Sequence, residues 1–214
     1  MTSSFLYPFL GAEESDSAAL LDDLARSADA KARISMQLRQ SSLAAQEPSI
    51  DAAALALCEV FRTGGQLLVI GNGGSSTDAA GVAALFSTPR TGRPLPARSL
   101  VTDTAVLTAL SNDVGFDVVF ARQVLAHGRA GDALLGISTS GGSTNVLRAF
   151  TAARGAGMLT VGLVGYDGGA IATASDVQHC LTVSSDSVHR TQETQAALAA
   201  ALWHRVQQHL GEAT

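Results

Sequence analysis

Two stretches of this chain gather small hydroxyl side chains around glycine. One reads Gly71-Asn72-Gly73-Gly74-Ser75-Ser76-Thr77-Asp78, the other Ser138-Thr139-Ser140-Gly141-Gly142-Ser143-Thr144. Each follows a short apolar run and precedes a segment of helical spacing. Glycine lets a backbone approach a ligand closely, and the first N–H groups of a helix have no intrahelical partner. The hydroxyls of Ser138, Thr139, Ser140 and Ser143, set beside such N–H groups, suit the acceptor oxygens of a phosphate monoester. Capping a helix uses one hydroxyl, and the second stretch carries five. It reads as a phosphate cradle built without basic side chains; the plainer alternative is a capped helix with surface serines. Neither stretch is a Walker A loop or a G-x-G-x-x-G dinucleotide fingerprint.

The elements that must hold these loops follow from hydrophobic period. Short continuous apolar runs at Gln66–Ile70, Arg98–Val101, Ala133–Ile137, Leu159–Val164 and His179–Val183 read as strands, most of them buried on both faces. Helical patterns over 77–86, 104–111, 116–126, 143–154 and 187–210 separate them. This alternation predicts an α/β fold with parallel strands and right-handed crossovers. Ligands then bind beyond the carboxyl ends of the strands. The loops facing that edge are Gly71–Thr77, Thr102–Asp103, Ser138–Ser143, Gly165–Gly169 and Ser184–Gln192.

Ahead of the strands, residues 1–14 show no periodicity and read as a flexible arm. Leu20, Leu21, Leu24, Ala28, Ala32 and Met36 recur at helical spacing within Asp16–Gln46. Pro48 is expected to break that helix, with Ser49 capping a second one through Phe61 and Gly64-Gly65 ending it. An N-terminal helical hairpin over about 15–63, inside a single domain of 15–212, is the result. The first helix carries more apolar residues than a small sheet covers, which points to subunit packing.

Composition narrows the class. Of 214 residues, 46% are hydrophobic and 15% charged, which fits a buried core and excludes a disordered chain. A net charge of −5, no Lys/Arg run and 5% aromatic residues argue against direct nucleic-acid binding. No apolar stretch reaches the roughly 18 residues of a membrane span, and no basic-then-apolar leader opens the chain. Cys58 and Cys180 lie in apolar runs and are expected as buried free thiols, which suits a reducing, cytoplasmic setting.

"LLVIGNGGSSTDA", "TDTAVLTALSNDVGFDVVFARQV", "GDALLGISTSGGSTNVLRA", "YDGG" and "RTQE" together resemble the sugar isomerase (SIS) domain family over roughly residues 20–210. Within it they are most similar to the phosphoheptose (sedoheptulose 7-phosphate) isomerases and to DiaA, the DnaA initiator-associating protein. The resemblance implies a three-layer α-β-α sandwich with a five-stranded parallel sheet, Rossmann-like or flavodoxin-like. It also implies a homotetramer with sites between subunits. By matching positions, Ser75, Ser138, Thr139, Ser140 and Ser143 would hold the phosphate, and Asn72 and Gly73 would lie along the sugar. Asp103 would sit near substrate hydroxyls, and Gln192 matches a polar position of the final helix.

The same resemblance exposes departures. The family continues its glycine loop as Asp-Ala-x-His with Glu four residues later, and its last helix reads Gln-Glu-x-His with a second His beyond. Those side chains bind zinc and move protons. This chain has Gly81, Leu85, Gln195 and Ala200 at the His, Glu, His and His positions. Only Gln192 of the expected ligands remains, so no metal and no other cofactor is expected there. If the chain isomerises a sugar phosphate, another base must act, and Glu193, His189 and Asp103 are the candidates. His127, His179, His204 and His209 form no ligand spacing. Three readings follow: a metal-independent phosphosugar isomerase, a phosphosugar-binding regulator or adaptor, and a pseudo-enzyme subunit of a catalytic relative.

Overall fold

Leu67–Gly71, Ala133–Ser138 and Leu159–Gly165 are strands buried almost throughout, as apolar runs in the middle of a parallel sheet must be. The computed structural model describes residues 17–211, so the arm expected over 1–14 lies outside the described residues. By its contacts the chain divides between Gln37 and Leu38. In the first unit the described residues are helical. Leu20, Leu21, Leu24, Ile34 and Met36 are exposed there, with Arg26 and Arg33 paired to aspartates three or four residues earlier.

The second unit holds the sheet. Its strands are β1 (Leu67–Gly71), β2 (Ala97–Ser99), β3 (Ala133–Ser138), β4 (Leu159–Gly165) and β5 (His179–Val183). They run parallel in the order β2-β1-β3-β4-β5. The helices are α2 (Gly74–Ser87), α3 (Thr104–Asp113), α4 (Val119–His127), α5 (Thr144–Gly155), α6 (Gly169–Thr173) and α7 (Val188–Gly211). Alternate strand residues face opposite cores. Leu67, Val69, Leu135 and Ile137 join α2 and α7 on one face; Leu68, Ile70, Leu134 and Val164 join α4 and α5 on the other. These are the three layers expected. Every strand lies within two residues of its sequence prediction.

The hairpin is not there. One helix, α1 (Ser17–Arg62), runs through Pro48. Proline removes a helical hydrogen bond and crowds the carbonyl four residues earlier, at about 3 kcal/mol. Packing on both sides outweighs this. Leu38 and Leu43 before Pro48, and Ile50, Ala53, Ala54 and Leu57 after it, contribute to one core. Arg205 of α7 also reaches Glu47 at 3.4 Å and Asp51 at 3.1 Å, one on each side of Pro48, and His209 meets Asp51 at 2.8 Å. Pro48→Ala is therefore expected to stabilise the chain by about 2 kcal/mol in thermal denaturation. An unchanged midpoint would mean that the helix does not continue through residue 48 in solution.

Two smaller differences are local. α2 begins at Gly74 rather than Thr77, which puts Ser75 and Ser76 in its first turn. Cys58 is buried as expected, but Cys180 is only half-buried.

Candidate functional site

The crevice between the ends of β1 and β3 follows from topology. α2 leaves β1 toward one face of the sheet, where Ala79, Val82 and Phe86 enter that core. α5 leaves β3 toward the other, with Val146, Ala149 and Phe150. Adjacent turns that diverge in this way open a cleft at the carboxyl edge, where α/β sheets of this strand order hold their ligands. Both hydroxyl-rich stretches line it.

In the second stretch, Ser138 Oγ and Ser143 Oγ lie 3.0 Å apart. Gly141 N–H donates to Ser138 Oγ at 3.1 Å, and Gly142 N–H to Ser140 Oγ at 3.3 Å. Ser143 is the N-cap residue of α5, yet its side chain caps nothing. Its hydroxyl turns to Ser138 instead, so the first turn of α5 lacks the side-chain acceptor that an N-cap serine ordinarily supplies. Gly141 has φ +64°, and a Cβ there would overlap the carbonyl oxygen of Gly168. Its own carbonyl accepts from Ile171 N–H at 2.9 Å, which locks this loop against the turn after β4.

The first stretch is tied to the second by a reciprocal amide pair. Asn72 Nδ2 donates to Asn145 Oδ1 at 2.8 Å, and Asn145 Nδ2 to Asn72 Oδ1 at 2.9 Å. Asn72 is thus held by a partner across the cleft, and Asn145 emerges as a residue the sequence reading missed. Ser75 is buried in the first turn of α2. The Gly73 carbonyl accepts from Ser76 N–H at 3.0 Å and from its hydroxyl at 2.6 Å.

Beside the cleft, on the α2/α7 face, lies a cavity of about 330 Å³. Gly81, Val82 and Leu85 of α2 face Ala196 and Ala199 of α7 across it, over Ile137 and Leu163. Its polar wall is Thr77, Asp78 and Gln195. Asp78 Oδ2 accepts from Gln192 Nε2 at 3.4 Å. Burial pushes the Asp78 carboxyl above its ordinary pKa, and the Gln192 bond offsets part of that. Gln195 is fully buried; its Nε2 donates to Leu163 O at 3.1 Å and lies 3.5 Å from Ser138 O, while Oε1 has no partner. Gly81 and Leu85, at the resembling family's His and Glu positions, are wall rather than ligands. Among the described residues no three His, Cys, Asp or Glu side chains cluster as metal donors.

The raised Asp78 pKa sets a pH dependence. A group protonated to higher pH in the folded chain adds stability that is complete below the unfolded pKa. That stability is lost as pH rises through the folded one. Asp78→Asn keeps an acceptor for Gln192 and removes the ionisation. Its melting temperature relative to the parent is expected to rise from pH about 4 to about 7. A difference that shrinks over that range contradicts the burial argument.

The other named candidates are dispersed. Asp103 caps α3, accepting from Val106 N–H at 3.0 Å, and is exposed. Glu193 is exposed on α7, and His189 is exposed in its first turn rather than in a loop. Thr139 is half-buried between Ser138 and the exposed Ser140. A wider hollow of about 820 Å³ opens beyond Ser140, lined by Tyr166, Asp167, Ser184, Ser185 and Asp186. Tyr166 has φ +54°, the one positive value at a non-glycine among the described residues. Strain of that kind gathers at functional sites.

A family model described as SIS domain matches residues 32–165. A phosphoheptose isomerase of Roseiflexus sp. is 47% identical over 167 residues, covering 77% of this chain and 84% of the relative. One from Chlorobaculum parvum is 42% identical over 183 residues, covering 84% and 87%. The structure of phosphoheptose isomerase GmhA from Neisseria gonorrhoeae superposes with a TM-score of 0.79 at 38% identity, over 86% of this chain and 99% of that one.

Proposed function

This chain belongs to the SIS domain family, and on that premise we propose that it binds a sugar phosphate of the sedoheptulose 7-phosphate type. The monoester sits between the ends of β1 and β3. One observation carries this: Ser143 stands at a helix N-cap and does not cap, its hydroxyl being held beside that of Ser138. A dianion there accepts from both hydroxyls and from N–H groups of α5. Asp167 and Asp186, around the wider hollow, are acceptors for sugar hydroxyls.

Isomerisation is the activity in the relatives' name, and aldose–ketose isomerisation is the reaction we put first. It moves a proton between C1 and C2 and needs a base beside the carbon. Asp78 meets that need better than Glu193 or His189, because it lines the cavity next to the cradle and burial raises its pKa. In this reading no zinc takes part, since Gly81, Leu85 and Ala200 offer no donor. Binding without turnover, as in an adaptor or pseudo-enzyme subunit, is the second reading, favoured by the apolar wall at Gly81 and Leu85. Assembly into a homotetramer belongs to either, and the exposed leucines of residues 17–37 are the surface available for it.

A thermal-shift series with ketose and aldose phosphates, with and without chelator, followed by an isomerisation assay, tests this. Chelator-insensitive stabilisation with turnover supports the first reading, and stabilisation without turnover the second. No stabilisation by any sugar phosphate overturns both.

A further inference from the structure

We propose that Tyr166 determines specificity beside the cradle: its ring packs on the C–H face of a sugar monophosphate bound in closed-ring form. This rests on the sugar-phosphate reading of the cradle and holds with or without turnover. The turn that carries Tyr166 is closed by Gly168 N–H donating to Gly165 O at 2.9 Å. Of its two central residues only Tyr166 has a positive φ, at +54°. That is the II′ pattern, whose first central position glycine ordinarily fills. Gly168 and Gly169, with φ of +89° and +52°, meet the same backbone demand just beyond. A tyrosine at 166 is costly to the backbone, and no polar or aromatic contact within the chain offsets it. Its side chain is half-buried and makes no hydrogen bond, ion pair or ring contact among the described residues.

The hollow of about 820 Å³ gives the side chain its use. Ser140, on its rim, belongs to the loop after β3, so a phosphate held by that loop has its ester carbons within reach of Tyr166. Asp167, Ser184, Ser185 and Asp186 are hydrogen-bonding groups, and Tyr166 is the one large apolar surface among the lining residues. A closed sugar ring has the same division, with hydroxyls around its edge and C–H groups on a face. The C–H face gains by leaving water for an aromatic ring, and the carboxylates accept from the edge. Asp167 keeps one oxygen for this, the other accepting from Gly169 N–H at 3.1 Å. An open chain turns no such face to the tyrosine. Asp186 meets Arg190 only at 3.9 Å, so the hollow stays acidic and disfavours a second phosphate.

Calorimetric titration of the full chain with sedoheptulose 7-phosphate, the heptitol phosphate made from it by reduction, and inorganic phosphate tests the assignment. Reduction removes the carbonyl through which the ring closes. The ketose phosphate is expected to bind at least about fivefold more tightly than the heptitol phosphate. In Tyr166→Gly that preference is expected to vanish, with affinity for inorganic phosphate unchanged. The melting temperature of this variant is expected to hold or rise, because glycine suits the turn. Tyr166→Phe keeps the ring and is expected to keep the preference. A preference that survives Tyr166→Gly, or is absent from the parent, overturns the assignment and leaves the cradle standing. A lower melting temperature in Tyr166→Gly would mean that the side chain serves the fold, and overturns the assignment too. Binding of neither sugar overturns the cradle, and this assignment with it.

Discussion

A chain carrying Ser138→Ala and Ser143→Ala together is expected to bind sugar phosphate at least about 100-fold more weakly than its parent. Each hydroxyl lost from a charged oxygen removes about 1.5–3 kcal/mol, and these two stand 3.0 Å apart, near enough for one phosphate in the proposed site to meet both. The pair also organises the loop, because Gly141 N–H donates to Ser138 Oγ. Removing that acceptor leaves a buried donor unmet, so stability falls by about 1–2 kcal/mol as well. Calorimetry on the folded double variant separates the effects. A dissociation constant within about threefold of the parent would mean that phosphate is held elsewhere.

Gly141→Ala is expected to lower stability by about 3 kcal/mol and to abolish binding. Its φ of +64° is costly for alanine, and the new Cβ would meet the Gly168 carbonyl, which is backbone and has no rotamer to change. The midpoint of thermal unfolding should fall by roughly 6–12 °C for a domain of this size. Gly142→Ala is the control next door. There the nearest atom to a Cβ is Ser140 Oγ at 3.9 Å, an ordinary contact, and little should change. Equal behaviour of the two variants would contradict the described seating of the loop.

β1 and β4 were legible because apolar runs of five to seven residues that end on glycine have few alternatives in an α/β chain. Pro48 misled because a local rule was applied to a residue whose neighbours on both sides are held by distant partners. Arg205, which spans it, is more than 150 residues away. The hydroxyl-rich loop after β3 was legible for the opposite reason: Ser138, Gly141 and Ser143 interact within five residues. Asn145 pairs across 73 residues, and Gln195 reaches Ser138 across 57. Nothing local marks either one. Asp78 stood in a quoted motif, but its character comes from burial and from a Gln192 partner 114 residues away, which spacing alone does not reveal.

The two-point amide tie between Asn72 and Asn145 fixes the width of the entrance before anything enters. Toward the proposed sugar phosphate, a site so held has little freedom left to surrender on association, so affinity is not spent on ordering its own walls. Its selectivity then comes from what the rigid mouth turns away.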